Sequence, residues 1–253
     1  MKLFKPQPIM DASTIRGVLE AFRDEVCESV GAELKSLIVY GAFVRNQGFE
    51  HQNTTVNVMA VLGQTDSEIL DKLAIPTATA ATKIPFSVMT LTKADLQSSC
   101  DVFPIKFQEM QLHYRVLTGE DVLCDLRISD EHLRLRCEQR LKNLLLRLRA
   151  AYLQHNLSSQ HLQSVLFDAR DHLLRDMGAC LMVKSGMQPE DAEDVADAFA
   201  DEFGIAIDVV TEIDALQKAN SPAGLEDIKS TYDSFMRLVE LASAMIDNLE
   251  VER

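Results

Sequence analysis

No stretch of this chain is apolar for the length of a membrane span, and its start, Met1-Lys-Leu-Phe-Lys-Pro-Gln-Pro-Ile-Met10, lacks the hydrophobic core of a signal peptide. Those two absences set the expectation of a cytoplasmic protein with no membrane partner. The five cysteines (Cys27, Cys100, Cys124, Cys137 and Cys180) are odd in number, and no two stand at metal-ligand spacing. That pattern indicates neither a disulfide framework nor a zinc site, and predicts reduced, mostly buried thiols. Three catalytic signatures are also missing: Gly-x-Ser-x-Gly, a Gly-rich loop ending in Lys-Ser or Lys-Thr, and the Gly-x-Gly-x-x-Gly of dinucleotide binders.

Length and composition allow two modest domains, because 253 residues at 47% hydrophobic content are enough for packed cores. Negative charge is unevenly placed. Residues 186–253 hold 17 acidic against 4 basic side chains, so most of the net charge of −14 lies there. Glu190, Asp191, Glu193, Asp194, Asp197, Asp201 and Glu202 make that surface a poor match for nucleic-acid phosphates. A solvated helical face is the simplest reading of the run, and a surface for a basic partner is the other.

Ser36-Leu-Ile-Val-Tyr-Gly-Ala-Phe-Val-Arg45 reads as a buried strand running into a glycine turn and a short helix. Thr54-Thr-Val-Asn-Val-Met-Ala-Val-Leu62 reads as a second strand, and residues 85–91 as a later one. Gly41-Ala42 is the only glycine turn placed between a strand and a helix. Backbone N–H groups at such a turn can meet a phosphate, and Arg45, about one turn on, can assist. From residue 129 the spacing becomes helical. Ser129 or Asp130 can cap a helix with Leu133, Cys137, Leu141, Leu144, Leu145, Leu148 and Tyr152 along one side. Further helices are expected over 159–184, 189–202, 205–219 and 225–249, broken by Gly186, Pro189 and Asn220-Ser-Pro-Ala-Gly224. Five amphipathic segments with short connections predict an up-and-down bundle over residues 126–253.

The strand, glycine turn, spacer of residues 43–54 and second strand resemble the active-site hairpin of the nucleotidyltransferase-fold superfamily, the polymerase-beta-like group that includes minimal and aminoglycoside nucleotidyltransferases. The helix expected within Asp101-Val-Phe-Pro-Ile-Lys-Phe-Gln-Glu-Met110 and the turn in Arg115-Val-Leu-Thr-Gly-Glu-Asp-Val-Leu123 extend the likeness over residues 12–125. The resemblance implies an N-terminal α/β domain over 1–125, with a small mixed sheet, followed by the helical domain. It also implies where the metal-binding acids belong: two on one face of the second strand, at Thr55 and Asn57, and a third on the strand at 85–91, which holds neither Asp nor Glu. Thr and Asn supply no charge for a hard Mg²⁺ site.

The expectation is therefore a catalytically degenerate member of that group, acting by nucleotide or partner binding. Gly41, Ala42, Arg45, Thr55 and Asn57 form its nucleotide site, with no metal and no cofactor. A protein partner or a second copy would engage through the helical domain. The rival is an active, Mg²⁺-dependent nucleotidyltransferase for a small molecule or protein, drawing its acids from Glu50, Asp95 or Asp101. A structural interaction protein is a third reading. A fourth rests on Arg149-Ala-Ala-Tyr-Leu-Gln-His155, which fits the short Arg-to-His spacing of certain helical ribonucleases; a helix-end role explains His155 equally well. Arg134, Arg136, Arg140, Lys142, Arg147 and Arg149 go round their helix, so pairing with the acidic C-terminal helices competes with phosphate contact as their explanation. His51 reads as a loop residue. His161 and His172 share a helix side without a matching ligand set.

Overall fold

A computed structural model describes residues 12–45, 55–187, 189, 192–219 and 223–251. Glu50, His51, Glu190, Asp191 and the Asn220-Ser-Pro222 punctuation lie outside the described residues, as does most of the hairpin spacer. The chain divides into two compact units, Met1–Ile128 and Ser129–Arg253.

The first unit runs α1 (Ala12–Val30), a single 3₁₀ turn (Gly31–Glu33), β1 (Leu34–Tyr40), α2 (Ala42–Arg45), β2 (Val56–Leu62), α3 (Ser67–Ala81), β3 (Phe86–Thr92), α4 (Lys93–Val102), α5 (Pro104–Leu112) and β4 (Tyr114–Gly119). Its four strands form one mixed sheet in the order β3-β2-β1-β4. β1 is antiparallel to both β2 and β4, while β2 and β3 are parallel and joined across α3. Alternation along each strand gives the sheet two apolar faces. Leu37, Val39, Val56, Val58, Ala60 and Leu62 pack with α1 and α3 through Leu19, Phe22, Val26, Ile69 and Leu73. Ile38, Met59 and Val61 pack with α4 and α5 through Leu96, Cys100, Phe107 and Met110. A large apolar side chain buried in this way contributes about 1.5–3 kcal/mol, so both faces hold the sheet in one register.

Two local details depart from the sequence reading. The helix expected within residues 101–110 is α5, but it starts only at Pro104, which supplies no N–H and takes the first helical position; Phe103 separates it from α4. Asp101 is accordingly a last-turn residue of α4 and does not cap α5. The second strand begins at Val56, two residues later than expected. Pro76 lies inside α3.

The Leu-Thr-Gly-Glu-Asp turn closes the first unit. Gly119 has φ +86°, and a Cβ there would meet the Lys35 carbonyl oxygen, with Ser36 Cα 2.9 Å away. The buried Ser36 hydroxyl donates to the Glu120 carbonyl at 2.6 Å, tying the turn to β1. Asp121 Oδ1 then accepts from the backbone N–H groups of Leu123 and Cys124, at 3.3 and 3.2 Å.

The second unit is helical: α6 (Asp130–His155), α7 (Ser159–Ser185), α8 (Ala192–Phe203), α9 (Asp208–Ala219) and α10 (Leu225–Asp247). The Ser129 hydroxyl accepts from His132 N–H and the Ser158 hydroxyl from His161 N–H, starting α6 and α7. Gly186, at φ +69°, ends α7 in the left-handed conformation glycine allows. α6 packs on α7 and α10. The core there includes Leu141, Leu148, Leu173, Phe235 and Tyr232, whose hydroxyl donates to the Leu148 carbonyl at 2.8 Å. Cys100, Cys137 and Cys180 are buried, whereas Cys27 and Cys124 are exposed, all five as free thiols.

Gly119→Ala forces a Cβ onto backbone at a positive φ, and we expect it to cost about 3 kcal/mol. Urea unfolding should show a lowered midpoint with an unchanged slope. A loss below about 1 kcal/mol would mean that the turn relaxes freely.

Candidate functional site

The two parallel strands start, β1 ends and β4 starts at one end of the sheet, and the sequence-predicted residues gather there. Gly41 follows β1 at φ +84°, a conformation that favours glycine. Its N–H donates to the His113 carbonyl at 2.8 Å, and its carbonyl accepts from Val44 and Arg45 N–H at 2.9 and 3.1 Å. The single turn of α2 is thereby fastened to the sheet, with Phe43 and Val44 packed into the α1/α3 core. Since Gly41 N–H is occupied, its role is to set the path of the turn rather than to donate to a phosphate. Ala42 is half-buried and Arg45 exposed. Thr55 is exposed just before β2, and its carbonyl accepts from Asn57 Nδ2 at 3.3 Å. A Cβ on Gly41 would lie 3.9 Å from the same Nδ2, so the glycine turn and Asn57 adjoin.

Register then brings in residues that the sequence reading did not single out. Asn57 pairs with Tyr40 on β1 and with Ser87 on β3, and Tyr40 pairs with Tyr114 on β4. Paired residues share a face, so Ser87, Asn57, Tyr40 and Tyr114 form one polar row across the whole sheet, about 14 Å wide at strand spacing. The next row on that face, Met89, Met59, Ile38 and Val116, is apolar. None of the four polar side chains carries charge at neutral pH. The period-2 pattern shows which residues of one strand share a face, but nothing in the sequence states which rows align.

The tyrosines are held neutral. The Tyr114 hydroxyl lies 3.0 and 2.9 Å from the two Asp121 oxygens, and removal from water followed by the hydrogen bond to Asp121 pushes its pKa up to about 12. Burial raises that of Tyr40 as well. Asp121, the acid of the closing turn, is thus engaged by Tyr114 and by two backbone N–H groups.

Asp95, one of the alternative acids, stands elsewhere. It forms a capping box with Thr92, which begins α4 at the far end of β3, about 17 Å along the strand from Ser87. Backbone and side-chain hydrogen bonds from Thr92 lower its pKa. Glu50 lies outside the described residues. Among the described residues no three His, Cys, Asp or Glu side chains gather as metal ligands, and the neutral row beside Gly41 does not suit Mg²⁺.

In the helical unit four of the basic side chains of α6 pair with acids. Arg134 reaches Glu138 and the last carbonyls of α10, Arg140 pairs with the buried Asp176 at 2.7 Å, Lys142 with Glu138 and Asp247, and Arg149 with Glu240. Burial raises the Asp176 pKa and outweighs the opposing pull of Arg140. With Arg149 engaged by Glu240, the Arg149–His155 spacing is not a free Arg-His pair. His155 ends α6 and stacks on His161, with ring centroids 5.0 Å apart.

No protein-family model matches the chain, and no curated protein matches it by sequence. Its structure does match that of the spectinomycin adenyltransferase AAD(9) from Enterococcus faecialis, crystallised with ATP and spectinomycin, with a TM-score of 0.51 and 8% identity over 89% of this chain and 99% of that one. This chain has the nucleotidyltransferase fold. At that identity the likeness concerns fold alone.

Asp121→Ala should lower the midpoint at which Tyr114 ionises, read by ultraviolet absorbance titration against Tyr114→Phe. The sign follows from the raised folded value. The native state holds the phenolic proton more tightly, so the stability linked to it is complete below about pH 10 and is lost as pH rises toward about 12. A titration unchanged by Asp121→Ala would contradict the assigned hydrogen bond.

Proposed function

We infer that this protein is a catalytically degenerate nucleotidyltransferase-fold protein that binds a nucleotide without metal, through Ala42, Arg45, Thr55 and Asn57 around the Gly41 turn. The observation that supports the reading is the neutral row Ser87-Asn57-Tyr40-Tyr114: the resemblance assigns one metal-binding acid to Asn57 and another to the strand that holds Ser87, and the row carries no acid at either. A transferase of this fold needs concentrated negative charge to hold Mg²⁺ against the triphosphate. Amide, hydroxyl and guanidinium groups do the opposite, since they donate hydrogen bonds to phosphate oxygens directly. The adenyltransferase of like fold was crystallised with ATP, which makes ATP the first ligand to try.

The α6 basic side chains belong to the packing of the helical unit in this reading, and nucleic acid is not the partner. The fold's activity elsewhere does not transfer on its own.

Calorimetric titration of ATP and GTP, with and without Mg²⁺, tests the proposal. Binding should need no metal, and Arg45→Ala should weaken it about tenfold, the equivalent of about 1.4 kcal/mol. Binding that requires Mg²⁺ would contradict the reading, as would transfer of a nucleotidyl group to any acceptor.

A further inference from the structure

The apolar row next to the neutral row holds an unexpected charge. Lys106 is exposed on α5, the helix whose Phe107 and Met110 pack against this sheet face. Its ammonium lies 3.4 Å from the sulfur of Met89. A thioether is a weak acceptor, and an ammonium has three donors, so most of the hydrogen-bonding capacity of Lys106 is directed away from the protein. Met89 is two residues beyond Ser87 on the same face of β3, a step of about 7 Å. The cation therefore stands about one row from Ser87 and Asn57.

We propose that Lys106 takes the electrostatic place of a divalent metal, binding the phosphate chain of a metal-free nucleotide directly; the assignment rests on the nucleotide reading above and specifies the form of the ligand. Its consequence is a preference in sign. Mg²⁺ bound to a triphosphate neutralises the charge that Lys106 would pair with and occupies the same oxygens, so metal complexation competes with the protein. The site selects free triphosphate over its Mg²⁺ complex, the reverse of a metal-dependent transferase. Ser87 and Asn57 donate to the phosphate oxygens beside the ammonium, and the ribose and base are left to the Gly41 turn.

The test is a set of calorimetric titrations of the full chain with ATP, inorganic tripolyphosphate and adenosine, in chelator and in excess Mg²⁺. ATP and tripolyphosphate should each bind at least about tenfold more weakly in Mg²⁺, and Lys106→Gln should produce a similar loss in chelator and abolish the Mg²⁺ effect. Lys106→Arg should retain binding, adenosine should be indifferent to position 106, and Lys72→Gln, an equal charge change on α3, should leave all three ligands unaffected. Lys106 is exposed, so circular dichroism should report each variant folded. Wild-type binding of ATP that is unchanged in Lys106→Gln overturns the role of Lys106 and leaves the nucleotide site standing. Tighter binding of the Mg²⁺ complex overturns both proposals, and so does wild-type protein that binds neither ATP nor tripolyphosphate.

Discussion

Strand register is the constraint on which the rest of the first unit depends. A one-residue slip between β1 and β2 would turn Met59 and Val61 from the α4/α5 core toward the α1/α3 core and would carry Asn57 off the site face. Burial on both faces forbids the slip, because every strand places large apolar residues on alternate sides. The same burial aligns Ser87, Asn57, Tyr40 and Tyr114 in one row at the sheet end where Gly41 turns the chain. Core packing thus aligns the row, and the hydrogen bonds of Tyr114 to Asp121 and of Gly41 to His113 hold its edges.

That row sets the chemistry the site can offer. Three hydroxyl groups and an amide hydrogen-bond well and attract metal poorly. Removal from water and the Asp121 hydrogen bond keep Tyr114 protonated, and the Asp121 carboxylate is itself committed to the turn that Gly119 allows. Among the described residues, Lys106 brings positive charge to this face and Arg45 to the glycine turn, while the Asp121 carboxylate beside Tyr114 brings negative charge. In the second unit, Asp247 and Glu240 of α10 pair with Lys142 and Arg149 of α6.

Much of this was legible in the sequence, for identifiable reasons. Leu37-Ile-Val-Tyr40 and Val56 to Leu62 announce strands by apolar runs beside a glycine, and the three-and-four spacing from Leu133 to Leu148 announces α6. Gly41 and Gly186 mark chain reversals because both adopt positive φ. The break at Phe103 was less visible, since Pro104 suits the first turn of a helix as well as its end. Ser87, Tyr40, Tyr114 and Lys106 could not be selected in advance. Ser87 stands 30 residues from Asn57 in sequence and meets it only through parallel pairing across α3, and Lys106 meets Met89 only because α5 folds back over the sheet. Those contacts are non-local, and local pattern carries no information about them.

Whether the site opposes metal or uses it can be read in a single experiment. Electron paramagnetic resonance of Mn²⁺ mixed with equimolar ATP reports the free aquo ion, whose signal falls as ATP sequesters the metal. If the protein binds metal-free nucleotide, adding it should withdraw ATP from manganese and raise the aquo signal. A further fall in that signal as protein is added, from a ternary complex of protein, metal and nucleotide, would contradict the account at its centre.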